Sequence, residues 1–445
     1  MTAQGRVAGL DGRATVQAQL RQDGGWRTIA GVATGEGRFS LSLRLPKQGS
    51  TATLRGAVVL AGSRLAVSPP DRVRLAPRVP APKPPASTPA ATAAAATLGS
   101  PPTPLPLDSD ITLPELPEPP VPPLDYALWG AWIDPGTSAQ PAPVNPTAIA
   151  SFEAFAKKSP SLLESYSAFA ECQSGGVNCS FIPFPAVQLE AIRNRGAIPL
   201  FTWASEATSG EVNQPNFQLA DVIEGKYDSY ISAWATAAKA WGHPFFLRFD
   251  WEMNGNWYPW SESVNGNAPG QYVAAWQHVR DIFTAVGATN ATWVWCPYVN
   301  PNGNLQSLEG LYPGDEYVDW TCLDGYNYGS SKPNTKWRSF SFLFGPQYAE
   351  ISGEIAPTKP MLIAEVASSE QGGSKPAWIA EMFSELPTAF PAVQGVMWFD
   401  YFYDGNDWWL DSSTAAQEAF AAAVADPRYL GNTVGGLATS PIPAP

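Results

Sequence analysis

Apolar runs and amphipathic stretches alternate along the chain from Asp125 onward. Runs rich in β-branched and aromatic residues predict strands, whereas apolar residues spaced three or four apart predict helices. Eight strands separated by helices are typical of a closed (β/α)₈ TIM barrel, and we predict this α/β fold for residues 125–431. The predicted strands are Tyr126–Ile133, Ser165–Ala170, Ala197–Trp203, Pro244–Trp251, Ala291–Pro297, Trp320–Tyr326, Pro360–Val366 and Gln394–Tyr401.

Helical patterns occupy most of the intervening stretches, although the crossover after the fifth strand, near Leu305–Gly310, is short. The predicted helices are Ala148–Lys158, Ala186–Asn194, Asp221–Trp241, Tyr272–Val286, Leu343–Ile355, Ala377–Ser384 and Thr414–Ala425. In such a barrel the active site lies at the C-terminal ends of the strands, so functional side chains are expected there.

The stretches outside the predicted barrel have other patterns. Residues 1–77 alternate apolar and polar positions in short runs, which predicts a small β-rich accessory domain of the immunoglobulin-like sandwich type. Residues 78–124 contain fifteen prolines and no hydrophobic periodicity, which predicts a Pro/Ala-rich linker. Residues 432–445 are predicted to be a tail.

Composition excludes several classes of function. The net charge is -13, so the surface repels a phosphate backbone and nucleic acid is not an expected partner. No run of eighteen apolar residues occurs, so we expect no membrane insertion. Of the two histidines, His243 precedes the fourth strand and His278 lies in a predicted helix, which argues against a Ser-His-Asp triad or a His-rich metal site. We therefore expect no metal and no cofactor.

Two glutamates end predicted strands. Glu252 follows the run Leu247–Trp251 at the fourth strand, and Glu365 follows Met361–Ala364 at the seventh. Ionised glutamate rarely ends an apolar run unless it is paired or functional. Each could form a plain ion pair, for which Arg248 is available. Alternatively, the two could face each other across the barrel mouth, because retaining glycosidases hold their two carboxyl groups about 5–5.5 Å apart.

The residues around these glutamates resemble a known family. Arg248–Trp260 reads RFDWEMNGNWYPW and is similar to the acid/base motif of glycoside hydrolase family 26, Glu-Met-Asn-Gly-x-Trp after the fourth strand. Ile363–Glu365 resembles that family's nucleophile strand. Asp324–Asn327 is similar to the segment whose Tyr hydrogen-bonds the nucleophile. The resemblance covers residues 125 to about 425.

The resemblance implies a retaining endo-acting β-glycanase with Glu252 as acid/base and Glu365 as nucleophile, which Tyr326 would orient. Mannan is the commonest substrate that it implies, beside mixed-linkage β-glucan and β-1,3-xylan. Mannanases of the family usually carry His immediately before the acid/base, where this chain has Trp251. This difference weakens the assignment to mannan more than the assignment to glycosidases, because the proton donor is retained.

Further residues near the motifs and strand ends are expected to bind a polysaccharide. Flat aromatic faces pack against the C–H groups of sugar rings, although any single Trp could equally pack in the core. The expected substrate-binding residues are Arg248, Trp251, Asn254, Trp257, Trp260, Trp203 and Trp398. Burial against Trp257 or Trp260 would raise the pKa of Glu252. Asp324 and Asp400 also lie near strand ends, where each could bind sugar hydroxyls or cap the following segment.

The four cysteines fall into two neighbouring pairs. Cys172 and Cys179 enclose a short loop, while Cys296 and Cys322 lie on adjacent predicted strands, so both pairs could form disulfides. Their even number favours an oxidising compartment, the alternative being four buried thiols. The leading interpretation is a monomeric, secreted or cell-surface glycosidase that acts on a β-linked polysaccharide. The alternatives are a non-catalytic carbohydrate-binding barrel and a related glycosidase with a different linkage specificity.

Overall fold

A computed structural model describes residues 126–445 except 138, 174–176, 209–210 and 404, together with seven strands between residues 2 and 74. The chain divides into two compact units, Met1–Pro123 and Leu124–Pro445. Residues 78–124, the predicted linker, lie outside the described part of the chain.

The N-terminal unit contains antiparallel strands. Strand β1 pairs with β4, while β3, β2, β5 and β6 form one sheet in that order, in which β7 also pairs with β5. Their bounds are β1 Thr2–Val7, β2 Ala14–Gln22, β3 Gly25–Thr34, β4 Gly37–Ser42, β5 Thr51–Leu60, β6 Ser63–Val67 and β7 Asp71–Arg74. The immunoglobulin-like sandwich stays a prediction.

Eight parallel strands close into a barrel in the second unit, which confirms the predicted (β/α)₈ fold. Each strand pairs with the next, and the last pairs with the first to close the ring. The barrel strands are β8 Leu128–Ile133, β9 Leu162–Gln173, β11 Ile198–Ala207, β12 Phe245–Phe249, β13 Ala291–Trp295, β14 Trp320–Asn327, β15 Met361–Ser368 and β16 Val393–Asp400. The additional strands are β10 Val177–Phe181, β17 Phe402–Tyr403 and β18 Asn406–Asp407.

Helices cover the outside of this barrel. They are α1 Pro146–Ala156, α2 Ala186–Arg193, α3 Leu219–Ile223, α4 Asp228–Trp241, α5 Gln271–Val286, α6 Phe340–Glu350, α7 Lys375–Ala389 and α8 Thr414–Val424, with a π-helical turn Ile351–Ile355 after α6. The single helix predicted over Asp221–Trp241 is in fact two, because the chain turns at Gly225 with a positive φ of 81°. The short crossover between β13 and β14 contains no α-helix.

The second barrel strand is longer than the predicted Ser165–Ala170. Strand β9 extends past the barrel and pairs antiparallel with β10, and the disulfide Cys172–Cys179 joins the two strands of this hairpin. The predicted segment captured only the middle of β9 because the charged Glu164 interrupts the apolar pattern near the start of the strand.

Two strand tryptophans that were expected to bind sugar instead pack against the helices outside the barrel. Trp203 on β11 is fully buried and stacks on Trp234 of α4, with ring centroids 4.3 Å apart. Trp398 on β16 is buried against Trp378 and Phe420 of the neighbouring helices. Neither ring lines the barrel mouth, so the expectation that they offer stacking faces is wrong.

The predicted tail packs against the barrel. Val434 and Gly435 donate backbone hydrogen bonds to the carbonyl of Gly196, just before β11. The Ile442 amide donates to the Thr292 hydroxyl, and its carbonyl accepts from the Trp320 indole at 2.8 Å. Residues 432–445 therefore cover the end of the barrel opposite the strand C-termini. In the part of the chain that is described, no helix is both long and apolar enough to cross a membrane.

Candidate active site

Glu252 stands on an unusual turn directly after β12. Asp250 and Glu252 have positive φ angles of 41° and 54°, a conformation that side chains other than glycine adopt at a cost of about 1–3 kcal/mol. The turn is held in place on both sides. The Asp250 carboxylate accepts from the amide and hydroxyl of Ser205, and the Glu252 amide donates to the Cys296 carbonyl at 2.6 Å.

The surroundings of Glu252 favour its protonated form. Its side chain is buried, and burial raises the pKa of its carboxyl to about 8, with a further increase from the negative charge of Glu365. The Trp257 indole donates to Oε2 at 2.6 Å, which opposes the shift by stabilising the anion. The net result is a carboxyl group that can hold a proton at neutral pH.

Glu365 on β15 lies in the opposite environment, with three donors around its carboxylate. Arg248 Nη2 and the Tyr166 hydroxyl each donate to Oε1 at 2.5 Å, and the Tyr326 hydroxyl donates to Oε2. These donors come from β12, β9 and β14, so four strands of the barrel converge on one side chain. Such hydrogen bonds stabilise a negative charge and fix the direction of the carboxylate.

Arg248 is the centre of a buried charge network below the cavity. It is fully buried and forms ion pairs with Glu164 at 2.8 Å, Asp324 at 2.7 Å and Glu365 at 2.5 Å. One guanidinium cannot compensate three buried anions. Burial raises the pKa of Glu164 to about 7 and that of Asp324 well above its usual value, while Arg248 lowers both.

The two glutamates approach each other at the bottom of an open groove. Carboxylate oxygens of Glu252, Glu365 and Asp324 all lie within 4.8 Å of one another. The groove has a volume of about 770 Å³. Its lining is mostly aromatic and comprises Trp132, Gln140, Tyr166, Trp251, Glu252, Trp257, Tyr258, Tyr298, Tyr326, Tyr328, Glu365, Phe399, Tyr401, Tyr403, Asn406 and Trp408.

The same oxygens could in principle ligate a cation. However, Arg248 already supplies a positive charge to Asp324 and Glu365, so a metal ion between them would be repelled by the guanidinium. A second cluster, Cys296, Cys322 and Asp324, lacks free thiolates because the two cysteines form a disulfide. The donor set thus suits proton transfer and nucleophilic attack better than metal binding.

Comparisons with known proteins agree with this arrangement. The sequence profile of Glycosyl hydrolase family 26 matches residues 201–380, a range that includes Glu252, Tyr326 and Glu365. Endoglucanase H of Acetivibrio thermocellus is 38% identical over 241 residues, which are 53% of this chain and 25% of that relative. The chain therefore aligns with about a quarter of the relative's length. Over residues 201–380 the barrel is similar in sequence to glycosyl hydrolase family 26.

Two solved structures share the fold. A Bacillus subtilis mannanase superposes with a TM-score of 0.51 at 18% identity, covering 69% of this chain and 88% of its own. The family 26 domain of a Prevotella bryantii endo-β-mannanase/endo-β-glucanase superposes with a TM-score of 0.51 at 15% identity, covering 70% and 93% respectively. The match to the family 26 profile confirms the predicted resemblance to that family, and the two structures confirm the barrel fold.

Within the candidate site, the expected substrate-binding residues have different positions. Trp251 and Trp257 line the groove. Trp260 is fully buried and stacks under Tyr258 with ring centroids 4.5 Å apart, so it supports the groove wall and does not reach sugar. Asn254 is also buried, and its amide exchanges two hydrogen bonds with the backbone of Tyr298. Arg248 lies below the groove, so its expected contact with substrate is likewise wrong.

The sequence interpretation missed several residues of the candidate site. Glu164 and Tyr166 belong to β9, where only a weak strand was predicted, and a charged residue within Leu162–Tyr166 was the signal that could have located them. Asp324, for which capping was one alternative, instead binds Arg248. The groove aromatics Tyr258, Tyr298 and Tyr328 follow strand ends, where a barrel places its ligand-binding side chains.

Proposed function

We propose that this protein is a retaining endo-glycosidase that cleaves a β-linked polysaccharide, with Glu252 as acid/base and Glu365 as nucleophile. The main support is that carboxylate oxygens of the two residues lie within 4.8 Å of each other at the bottom of the groove. Retaining enzymes need a separation of about 5–5.5 Å between the carboxyl groups, whereas inverting enzymes need about 6.5–9.5 Å to hold a water between them.

In the first step, Glu252 donates its proton to the glycosidic oxygen as the bond to the anomeric carbon breaks. A carboxylate oxygen of Glu365 attacks that carbon, and a covalent glycosyl ester forms. Because its pKa is raised, Glu252 holds a proton that it can donate. Tyr166, Tyr326 and Arg248 hold Glu365 in position. Tyr326 then has the orienting role expected from the sequence.

In the second step, Glu252 is ionised and accepts a proton from a water molecule. The water oxygen attacks the anomeric carbon, the ester bond to Glu365 breaks, and the sugar leaves with its original configuration. Glu365 becomes a carboxylate again and Glu252 regains its proton, so both residues return to their starting states.

A β-glucan is the substrate that we propose first, with mannan second. The relative that aligns at 38% identity is named an endoglucanase. Trp251, at the position where mannanases of the family carry His, is one of several aromatic residues that line the groove. A glucose ring with all its hydroxyls equatorial packs flat on an aromatic face, whereas the axial 2-hydroxyl of mannose projects from it. The aromatic lining suits several consecutive sugar rings.

Two disulfides support an extracellular location for this enzyme. The cysteine pairs expected from the sequence are both bonded, Cys172 with Cys179 and Cys296 with Cys322. Such bonds persist in oxidising compartments and are rare in reducing cytosol. We infer that the enzyme is secreted or displayed at the cell surface and acts as a monomer.

The mechanism is tested with Glu365→Ala and Glu252→Ala on lichenan, glucomannan, galactomannan, laminarin and xylans. We expect Glu365→Ala to lose turnover of every substrate. Glu252→Ala should slow polysaccharides by a factor of 100 or more, but slow aryl glycosides with good leaving groups far less, because these need no proton. The exposed Glu354→Gln is the matched control.

The stereochemistry of the product completes this test. Proton NMR of the first products should show the β-anomer, which then mutarotates. Release of the α-anomer would contradict double displacement, and full activity in either alanine variant would contradict the assignment of that residue. Binding of polysaccharide without release of reducing ends would instead favour a carbohydrate-binding barrel.

A further inference from the structure

A second cavity continues the groove on the side of the proton donor. It has a volume of about 260 Å³ and shares the side chains of Trp257, Tyr298, Tyr326 and Tyr328 with the catalytic groove. Trp257 is hydrogen-bonded to Glu252, the residue that would protonate the leaving group. This cavity therefore lies where the leaving part of a polysaccharide would extend.

The wall of this cavity carries two positive charges and no negative one. Lys336 and Arg338 line it, whereas none of the lining side chains is a carboxylate. Among the described residues, neither Lys336 nor Arg338 forms a salt bridge. The other polar groups on this wall include the hydroxyls of three tyrosines and the side chains of Asn302, Asn304, Asn327, Asn334 and Thr335.

The segment that carries the two charges is firmly held. The Arg338 amide donates to Asn327 Oδ1 at 3.1 Å, and its carbonyl accepts from the Trp378 indole at 2.9 Å. Between the two cations, Trp337 packs so closely on Gly373 that a Cβ there would lie 2.3 Å from the ring. The Arg338 guanidinium stacks on Phe342, 4.2 Å from the ring centroid. The Arg338 charge is thus presented in a fixed place, and the exposed Lys336 lies beside it on the same segment.

This local charge opposes that of the whole protein. The chain has 27 basic and 40 acidic residues, yet residues 329–339 contain three basic residues and no acidic one. At physiological ionic strength charges act over about 8 Å, so an anion bound here would feel these two cations more than the distant net charge. Neutral sugar rings need the aromatic faces and amides but not a pair of cations.

We propose that this cavity binds a sugar unit bearing a carboxylate, on the leaving-group side of the cleaved bond. The inference rests on the proposed function, because it specifies that the polysaccharide cleaved in the catalytic groove is an acidic β-glycan. Arg338 and Lys336 bind the carboxylate, while Trp257 and Tyr298 pack on the ring. A uronic acid and a sugar with an ester-linked dicarboxylic acid both present this group.

The experiment compares a β-glucan with two derivatives, one partly oxidised at C6 to uronic acid and one partly succinylated. We expect the wild-type enzyme to cleave at least one derivative with kcat/KM about tenfold above that of the parent at low salt. The derivative that is preferred identifies the source of the carboxylate. The preference should shrink in about 0.5 M NaCl, because salt screens the partly exposed cations.

Arg338→Gln and Lys336→Gln should each reduce the ratio of kcat/KM for the charged over the neutral polymer severalfold and make it less sensitive to salt. Arg195→Gln and Lys359→Gln are the matched controls. Arg195 pairs with Glu153, and Lys359 donates to the Asp315 carbonyl, both away from the groove. An unchanged ratio in both test variants, or no preference in the wild type, would overturn the inference.

Calorimetric titration with a glucuronate-containing oligosaccharide separates this inference from the proposed function. Cleavage of the neutral glucan without any preference removes the inference alone. If no polymer is cleaved, the proposed function fails. In that case binding of the oligosaccharide to the wild type and its loss in Arg338→Gln would still support the site, and equal binding by both proteins would overturn it.

Discussion

Glu252 and Glu365 are the same residue type, and their different hydrogen-bond partners give them different chemistry. Glu252 receives one indole hydrogen bond in a buried position, whereas Glu365 receives donors from two tyrosines and one arginine. A buried carboxyl with few donors favours its protonated form, as in Glu252. The positions of Trp257, Tyr166 and Tyr326 therefore support the proposed roles, Glu252 as acid and Glu365 as nucleophile.

The pH dependence of activity follows from Glu252. Its raised pKa of about 8 predicts that kcat/KM falls as the pH rises through that value, because the proton donor is lost. Trp257→Phe keeps a ring but removes the N–H that stabilises the anion, so the pKa should rise and the alkaline limb should move to higher pH. A pH–rate profile on the polysaccharide, whose leaving group needs the proton, would measure this. A limb that stays in place or moves down would show that Trp257 does not tune Glu252.

Arg248 should matter for stability as well as activity. Arg248→Met leaves Glu164, Asp324 and Glu365 buried without a counter-charge, which costs about 3–5 kcal/mol of unfolding free energy. The loss should be smaller at low pH. The folded-state pKa of Glu164 is already raised from 4.5 to about 7, so its protonated form stabilises the fold below about 4.5, and that contribution falls as the pH rises through 7.

Arg248 lowers the pKa of Glu164, so this pKa should be higher in Arg248→Met. The pH range over which the variant loses the stability from protonated Glu164 should therefore extend to higher pH. Urea unfolding of wild type and variant at pH 5 and pH 8 measures the difference. Arg195→Met, which breaks a partly exposed ion pair with Glu153, is the control and should cost about 1 kcal/mol or less at either pH. A loss for Arg248→Met that is equal at both pH values would contradict the network.

At the scale of elements, the two disulfides have different positions relative to the site. Cys172–Cys179 closes a hairpin outside the barrel, with a separation of 7 residues. Cys296–Cys322 joins β13 to β14 across a separation of 26 residues. The Cys296 carbonyl accepts a hydrogen bond from the Glu252 amide. The Cys296 sulfur lies 3.8 Å from Nη1 of Arg248. The second disulfide thus lies next to the proposed acid/base and the arginine that pairs with Glu365.

Replacing both cysteines of each pair by alanine should separate the two roles. The Cys296/Cys322 variant should lose about 1 kcal/mol more stability than the Cys172/Cys179 variant, because its longer loop restricts the unfolded chain more. It should also lose activity, whereas the hairpin variant should keep it. Thermal unfolding and kcat/KM on one substrate measure both effects, and equal activity in the two variants would argue against a role in the site.

The predicted strands matched the barrel because long apolar runs are a strong signal, but the face of each strand was harder to infer. Successive residues of a strand point to opposite sides of the wall, so a shift of one position exchanges inside and outside. Thr202 faces the interior and bonds to Arg248, while Trp203 beside it packs on α4. A tryptophan near the end of an apolar strand can point either into the barrel or toward the helices. The pattern alone therefore could not distinguish Trp203 and Trp398, which pack against helices, from Trp251, which lines the groove.

The network below the groove could not be predicted for a related reason. Glu164, Arg248 and Asp324 are 84 and 76 residues apart along the chain and meet only when the barrel closes. The motif around Glu252 located the proposed acid/base, because that signal is contiguous. The supporting residues come from β9 and β14, where isolated polar positions resemble ordinary caps.

At the scale of the whole molecule, charge is divided unevenly. Residues 1–77 contain 11 basic and 4 acidic residues, whereas residues 78–445 contain 16 basic and 36 acidic ones. A single folded unit would not require basic and acidic residues to be divided between two parts of the chain. We propose that residues 1–77 form a separate domain, joined to the barrel by the Pro/Ala-rich stretch 78–124, whose sequence predicts an extended spacer.

Limited proteolysis tests this organisation on the intact protein. Elastase cuts after small residues and should cleave first within the alanine-rich stretch 90–96, because a segment that buries little apolar surface stays accessible. The larger product, with its excess of acidic residues, should bind an anion exchanger, and the smaller basic product should not. The acidic product should keep full activity on a soluble oligosaccharide, because the described residues that line the groove all follow residue 125. First cleavage within the barrel, or loss of activity on removal of the N-terminal product, would contradict two independent domains.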